Sequence, residues 1–154
     1  TLRHDRVLYL EVLECTLPLR RVANRTSDPF HTTALGRAIA AFLPADRQKR
    51  LLARARLERR TSATIADRAG LVAELARVAR QGYAIETEET DVGVICIGAP
   101  VLCGGDVAGA ISVSVPTARA QAAARRQLLQ LVQKAAHAAT LALTKASGQK
   151  SPAR

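Results

Sequence analysis

The sequence predicts a mixed α/β (α+β) domain in which an antiparallel sheet is flanked by helices on both faces. Residues 82–116, GYAIETEETDVGVICIGAPVLCGGDVAGAISVSVP, read as three strands joined by two loops. Gly104-Gly105-Asp106 suits a tight hairpin between the second and third strands, which makes them antiparallel. Apolar residues at helical spacing precede and follow this stretch, as expected of helices laid against a sheet. Side chains alternate across a strand, so Ile111, Val113 and Val115 share one face while Ala110, Ser112 and Ser114 share the other. In the preceding strand Ile95 and Ile97 oppose Val94, Cys96 and Gly98. Two neighbouring strands thus pool small or weakly polar groups on one surface, which either floors a small-molecule pocket or faces water.

Taken in order, residues 6–13 (RVLYLEVL) predict a first strand, residues 19–23 a short second one, and residues 24–29 a polar loop. A helix opens near residues 31–33, with Ala34, Leu35, Ala38, Ile39, Phe42 and Leu43 as its inward stripe. Ala34 and Gly36 keep its start slim, which suits close packing on a sheet or the approach of an anion to backbone amides. Pro44 ends that helix or opens a basic one over residues 45–57, which holds Leu51 and Leu52 inward. Residues 61–65 read as a linker. Asp67 is the expected N-cap of a helix carrying Leu71, Leu75 and Val78, and Gly82 its stop. Glu86, Glu88, Glu89 and Asp91 read as a solvated loop or edge before a strand over residues 92–99; Glu86, at a strand end, is the candidate for a functional acid. Beyond Pro116, residues 117–144 predict a long helix with Leu128, Val132, Ala136, Ala139 and Leu143 facing the sheet. Residues 145–154 predict a disordered tail.

A chain of 154 residues suits one domain with a core of its own, and 3% aromatic content makes that core aliphatic. No run of 18 apolar residues is present, and Arg3, Asp5, Arg6, Glu11 and Glu14 interrupt the start, unlike a signal peptide. The expectation is a cytoplasmic protein without membrane contact. Cys15, Cys96 and Cys103 match neither a disulfide framework nor zinc-ligand spacing, and His4, His31 and His137 are scattered, so neither metal nor cofactor is expected. The net charge is +10, and seven basic residues fall between Arg47 and Arg60 with only Glu58 against them. Such a segment is a basic patch for a polyanion or a solvated helix face with arginine stems along the surface.

Four motifs in order, HTTALGRAIAAFLP, RRTSATIADRAGLVAELARVARQGYAIETEE, GVICIGAPV and GAISVSVP, resemble the effector-binding domain of the IclR family of bacterial transcription regulators. The resemblance covers most of the chain. It implies a GAF-like fold, regulation without catalysis, and a small organic or aromatic acid bound beside the sheet. The family's pocket contacts fall at Ala34 and Leu35, Glu86, Cys96, Ser112 and Ser114. Glu86 stands where the family commonly has Asp, and Ala34 and Leu35 are bulkier than the Gly-Ala pair of some relatives. The resemblance further implies a homo-oligomer, dimer or tetramer, that meets operator DNA through a winged helix-turn-helix preceding this domain. Residues 1–144 are therefore expected to be an N-terminally truncated effector-binding domain.

Three functions compete at this level. A ligand-sensing regulatory domain rests on the small-residue strand face and the four motifs. A nucleic-acid-binding module rests on the segment between Arg47 and Arg60. A thiol enzyme rests on Cys96 alone and needs a neighbouring base.

Overall fold

The computed structural model describes residues 1–13 and 27–148. Two three-stranded antiparallel sheets carry the chain. The small one orders β1 (Leu2–Arg3), β2 (Arg6–Leu8) and β3 (Ser27–Pro29) side by side. The large one orders β4 (Ala84–Thr87), β5 (Val94–Cys103) and β6 (Asp106–Pro116), with β5 central. Helices α1 (Ala34–Ala40), α2 (Ala45–Arg54) and α3 (Arg68–Gln81) lie between the sheets in sequence, and α4 (Ala122–Ala146) follows them.

Helices cover both faces of the large sheet. On one face Ala34 and Ala38 of α1 and Val78 of α3 pack with Ala84 of β4 and Cys96 of β5. On the other, Val132 and Ala136 of α4 pack on Ala99 and Val101, joined by Ile111 and Val113. A third cluster, with Val7, Phe30, Leu51, Leu71 and Leu75, ties the small sheet to α2 and α3. The caps are those expected: the Asp67 carboxylate accepts the Gly70 amide at 2.7 Å, and Gly82 ends α3 at φ 81°, a left-handed conformation that costs glycine little.

Several boundaries differ from the sequence reading. The first strand stops at Leu8, and Leu10 and Leu13 stand 79% and 91% exposed, because its ladder is limited by a two-residue and a three-residue neighbour. Residues 27–29, expected in a loop, pair with β2 through Val7 opposite Asp28. The strand expected at residues 19–23 lies outside the described residues. Helix α2 ends at Arg54 because Ala55 turns to extended backbone. The central strand begins at Val94, after Gly93 at φ 80°, which leaves Val92 in the preceding turn and exposed.

At the C-terminal end a 3₁₀ turn (Thr117–Arg119) precedes α4, which continues through Ala146, two residues into the expected tail. Leu143, expected to face inward, is 41% exposed, while Thr144 is buried. Steps of four residues from Val132 through Ala136 and Thr140 reach Thr144, so the buried stripe passes Leu143 by. Thr140 belongs there for a polar reason: its hydroxyl accepts the Leu102 amide at 3.0 Å, where β5 and β6 shift register.

Candidate functional site

Strand register brings most of the sequence-derived candidates together. Glu86 pairs with Cys96, and Cys96 with Ser114; one step along, Ala84 pairs with Gly98, and Gly98 with Ser112. Alternation puts these six on the face covered by α1. Cys96 Sγ and Ser114 Oγ lie 3.1 Å apart. Burial grades across the row: Glu86 and Cys96 are buried, Ser112 is half-buried, and Ser114 is exposed because β6 is an edge strand.

Helix α1 sits on this floor by way of bare backbone. A Cβ on Gly98 would fall 2.9 Å from the Ala34 carbonyl carbon and oxygen and 3.2 Å from the Leu35 amide nitrogen. Ala34 therefore meets β5 and packs in the same cluster as Cys96. Leu35 contributes only backbone to this contact, for its side chain packs against the cluster of Phe30, Leu51 and Leu75.

Glu86 is fully buried, and its Oε1 accepts the amides of Glu89 at 2.6 Å and Thr90 at 2.9 Å. Its Oε2 is buried without a hydrogen-bond partner of normal geometry among the described residues. Loss of water, with a small addition from the Glu89 charge, raises the Glu86 pKa above the ordinary carboxylate value; the Thr90 amide, the Cys96 thiol and the Glu89 amide oppose that rise. The carboxyl thus organises the loop after β4 and favours its protonated form more than a solvated glutamate does.

That loop corrects the solvated reading of the acidic run, since Glu89 is also buried. Both of its carboxylate oxygens take the Arg37 guanidinium, whose side chain is 1% exposed; Arg37 Nε donates to the His31 carbonyl at 2.7 Å. Arg37 was missed in the sequence because it lies beside the apolar stripe of α1 and looks like an ordinary surface arginine. The linker at residues 61–65 is likewise part of the frame. The hydroxyls of Thr61 and Thr64 donate to the carbonyls of Glu88 and Glu89, each at 2.7 Å, and Thr90 Oγ1 donates to the Thr32 carbonyl at 2.6 Å. Asp28 is fully buried, accepts the Tyr9 hydroxyl at 2.7 Å and pairs with Arg60 at 3.1 Å. His31 Nε2 lies 3.0 Å from the Glu58 carbonyl, which can only accept, so Nε2 carries a proton. Burial lowers the His31 pKa.

On the outer side of this frame, Glu58, Arg59, Arg60, Thr61, Thr90, Asp91 and Val92 line an open cleft of about 480 Å³. None of the six sequence-derived candidates lines it. Among the described residues no group of three His, Cys, Asp or Glu side chains is placed to hold a metal ion. No helix there is long and apolar enough to cross a membrane.

Residues 1–141 match the family model for the bacterial transcriptional regulator IclR C-terminal domain, and the chain belongs to that family. It is 38% identical over 120 residues to the HTH-type transcriptional regulator BhcR of Paracoccus denitrificans, covering 77% of this chain and 43% of BhcR. The chain thus spans less than half the length of that relative. The solved C-terminal domain of the Escherichia coli regulator KdgR superposes with a TM-score of 0.81 at 26% identity, covering 93% of this chain and 84% of that one. The inducer-binding domain of a PobR double mutant from Acinetobacter, solved with 3-hydroxybenzoic acid, gives a TM-score of 0.76 at 26% identity over 90% of this chain and 83% of its own. The chain is an IclR-type C-terminal domain, and the named members of its family are transcription regulators, not enzymes.

Proposed function

We propose that this domain senses a small organic acid held between α1 and the Glu86–Cys96–Ser114 row of the large sheet. The register of that row carries the reading, because it aligns a carboxyl, a thiol and a hydroxyl across three strands beside the bare backbone at Gly98. Hydroxyl and thiol donors on an otherwise apolar floor can orient a carboxylate. The site residues of this reading are Ala34, Leu35, Glu86, Cys96, Ser112 and Ser114, with Leu35 offering its amide. PobR's 3-hydroxybenzoic acid supports the aromatic or simple carboxylic class of ligand.

The raised pKa of Glu86 lessens the objection to an anionic ligand, since burial favours its neutral form more than solvent does. In a longer regulator, such a ligand shifts the population of DNA-binding states. Operator DNA as the partner of a preceding domain, a homo-oligomeric assembly and a cytoplasmic location belong to the same reading. A thermal-shift panel of small keto, dicarboxylic and aromatic acids tests it. A ligand at 100 times its Kd adds about 2.7 kcal/mol of stability. The reading fails if no acid stabilises the native protein beyond its Ser112→Ala/Ser114→Ala variant.

A further inference from the structure

We propose that the outer face of α2 is an accessory contact surface for the phosphate backbone of double-stranded DNA. Arg47, Lys49, Arg50 and Arg54 of α2 are all exposed, as are Arg56 and Arg59 in the segment that follows it. None of them forms an ion pair with an acid among the described residues. The acids that could neutralise this face are engaged elsewhere: Asp28 and Asp91 with Arg60, Glu89 with Arg37, and Glu74 with Arg77 and Arg37. Among the described residues, Asp46, in the first turn of α2, and Glu58 are the acids nearest in sequence to these six cations. Arg68 adds a further positive group by donating to the Ala53 and Ala55 carbonyls at the end of α2.

A duplex is the best-matched polyanion. Arg47, Arg50 and Arg54 follow the three- and four-residue spacing of one helix face and span about 10 Å of helix axis. Duplex DNA carries one charge per about 1.7 Å of axis, so several phosphates lie within their reach. Single-strand binders stack bases on aromatic rings, and α2 has none. Membrane-surface helices bury large apolar side chains, whereas Leu51 of α2 already faces the protein core.

The test uses fluorescence anisotropy of a labelled 24-base-pair duplex with this chain at several salt concentrations. Arg47→Glu/Arg50→Glu/Arg54→Glu is compared with Arg126→Glu/Lys134→Glu/Lys145→Glu, an equal charge change on exposed positions of α4. Salt-dependent binding by the native chain is expected, with the slope of log K against log salt falling by about 2.7 in the α2 variant, on the order of 0.9 per lost phosphate contact. The α4 variant should change it far less. Thermal unfolding checks that both variants fold, and an Arg→Gln series replaces the α2 variant if it does not. No DNA binding at low salt, equal losses in both variants, or preference for single-stranded RNA or phosphatidylglycerol vesicles over duplex DNA overturns the proposal.

Discussion

Arg37 of α1 and Glu89 of the loop after β4 form a two-pronged ion pair inside the protein, 52 residues apart in sequence. The pair joins the helix over the proposed ligand face to the loop that Glu86 organises through the Glu89 and Thr90 amides. Glu89 Oε2 also accepts the Ile65 amide at 3.3 Å, so three segments meet at one carboxylate.

Glu89→Gln should therefore destabilise the domain by about 3 kcal/mol, near the low end for breaking a buried pair. The remaining neighbour, Glu74, lies 3.7 Å from Arg37 and moderates the loss. Arg37→Met/Glu89→Leu, which removes both charges, should cost less than the two single changes summed. Urea unfolding of the native protein, Arg37→Met, Glu89→Leu and the double variant measures this cycle, and strict additivity would show that the pair does not act as a unit.

What could be read in the sequence divides along physical lines. Alternation over residues 94–97 and 110–115 placed Cys96, Ser112 and Ser114 on one face because strand periodicity is local. Asp67 and Gly82 were legible because caps depend on nearest neighbours. The acidic run was misread because Glu89 is held by Arg37 of α1 and by the residues around Thr64, and no local pattern reports a partner so distant in sequence. Leu143 was misplaced for a subtler reason, since Thr140 and Thr144 hold the stripe of α4 as polar residues that a hydrophobic pattern passes over.

The glycines of the α1 region should be intolerant of side chains. A Cβ on Gly36 would lie 2.3 Å from the Phe30 carbonyl oxygen and 2.4 Å from its Cα, and backbone there cannot swing aside. Gly36→Ala should destabilise by about 2 kcal/mol, overpacking outweighing the gain in helix propensity. Gly98→Ala meets the Ala34 backbone instead, and so should weaken acid binding as well as stability. Thermal melts with and without ligand separate the two effects; unchanged melting of Gly36→Ala would refute the close approach.

Burial makes Glu86 hold its proton more tightly in the folded than in the unfolded protein. Its support for the fold is therefore complete below the ordinary value of 4.5 and is withdrawn as pH rises through the folded pKa. His31 acts oppositely: its lowered pKa supports the fold above 6.5, and that support is lost as pH falls through the folded value. Glu86→Gln keeps an amide oxygen for the Glu89 and Thr90 N–H groups but cannot ionise. Its stability relative to the native protein should improve as pH rises above 4.5 and level off once the pH passes the folded pKa of Glu86. Urea unfolding from pH 4 to 8 measures the difference, and a difference independent of pH would mean that Glu86 titrates as a solvated carboxyl.

The cysteines give a chemical view of the proposed site. Cys96 is 5% exposed, beside the Glu86 carboxyl and the Ser114 hydroxyl, whereas Cys103 is partly exposed at the hairpin with its thiol 3.6 Å from Ser147 Oγ. A buried thiol is a poor nucleophile, because reaction requires the thiolate and access. Iodoacetamide should therefore modify Cys103 before Cys96, as read by peptide mass spectrometry. A ligand seated against Ser112 and Ser114 should slow Cys96 further and leave Cys103 unchanged, since only Cys96 belongs to that row. Equal labelling of both thiols would place Cys96 in solvent and remove the floor of the proposed pocket.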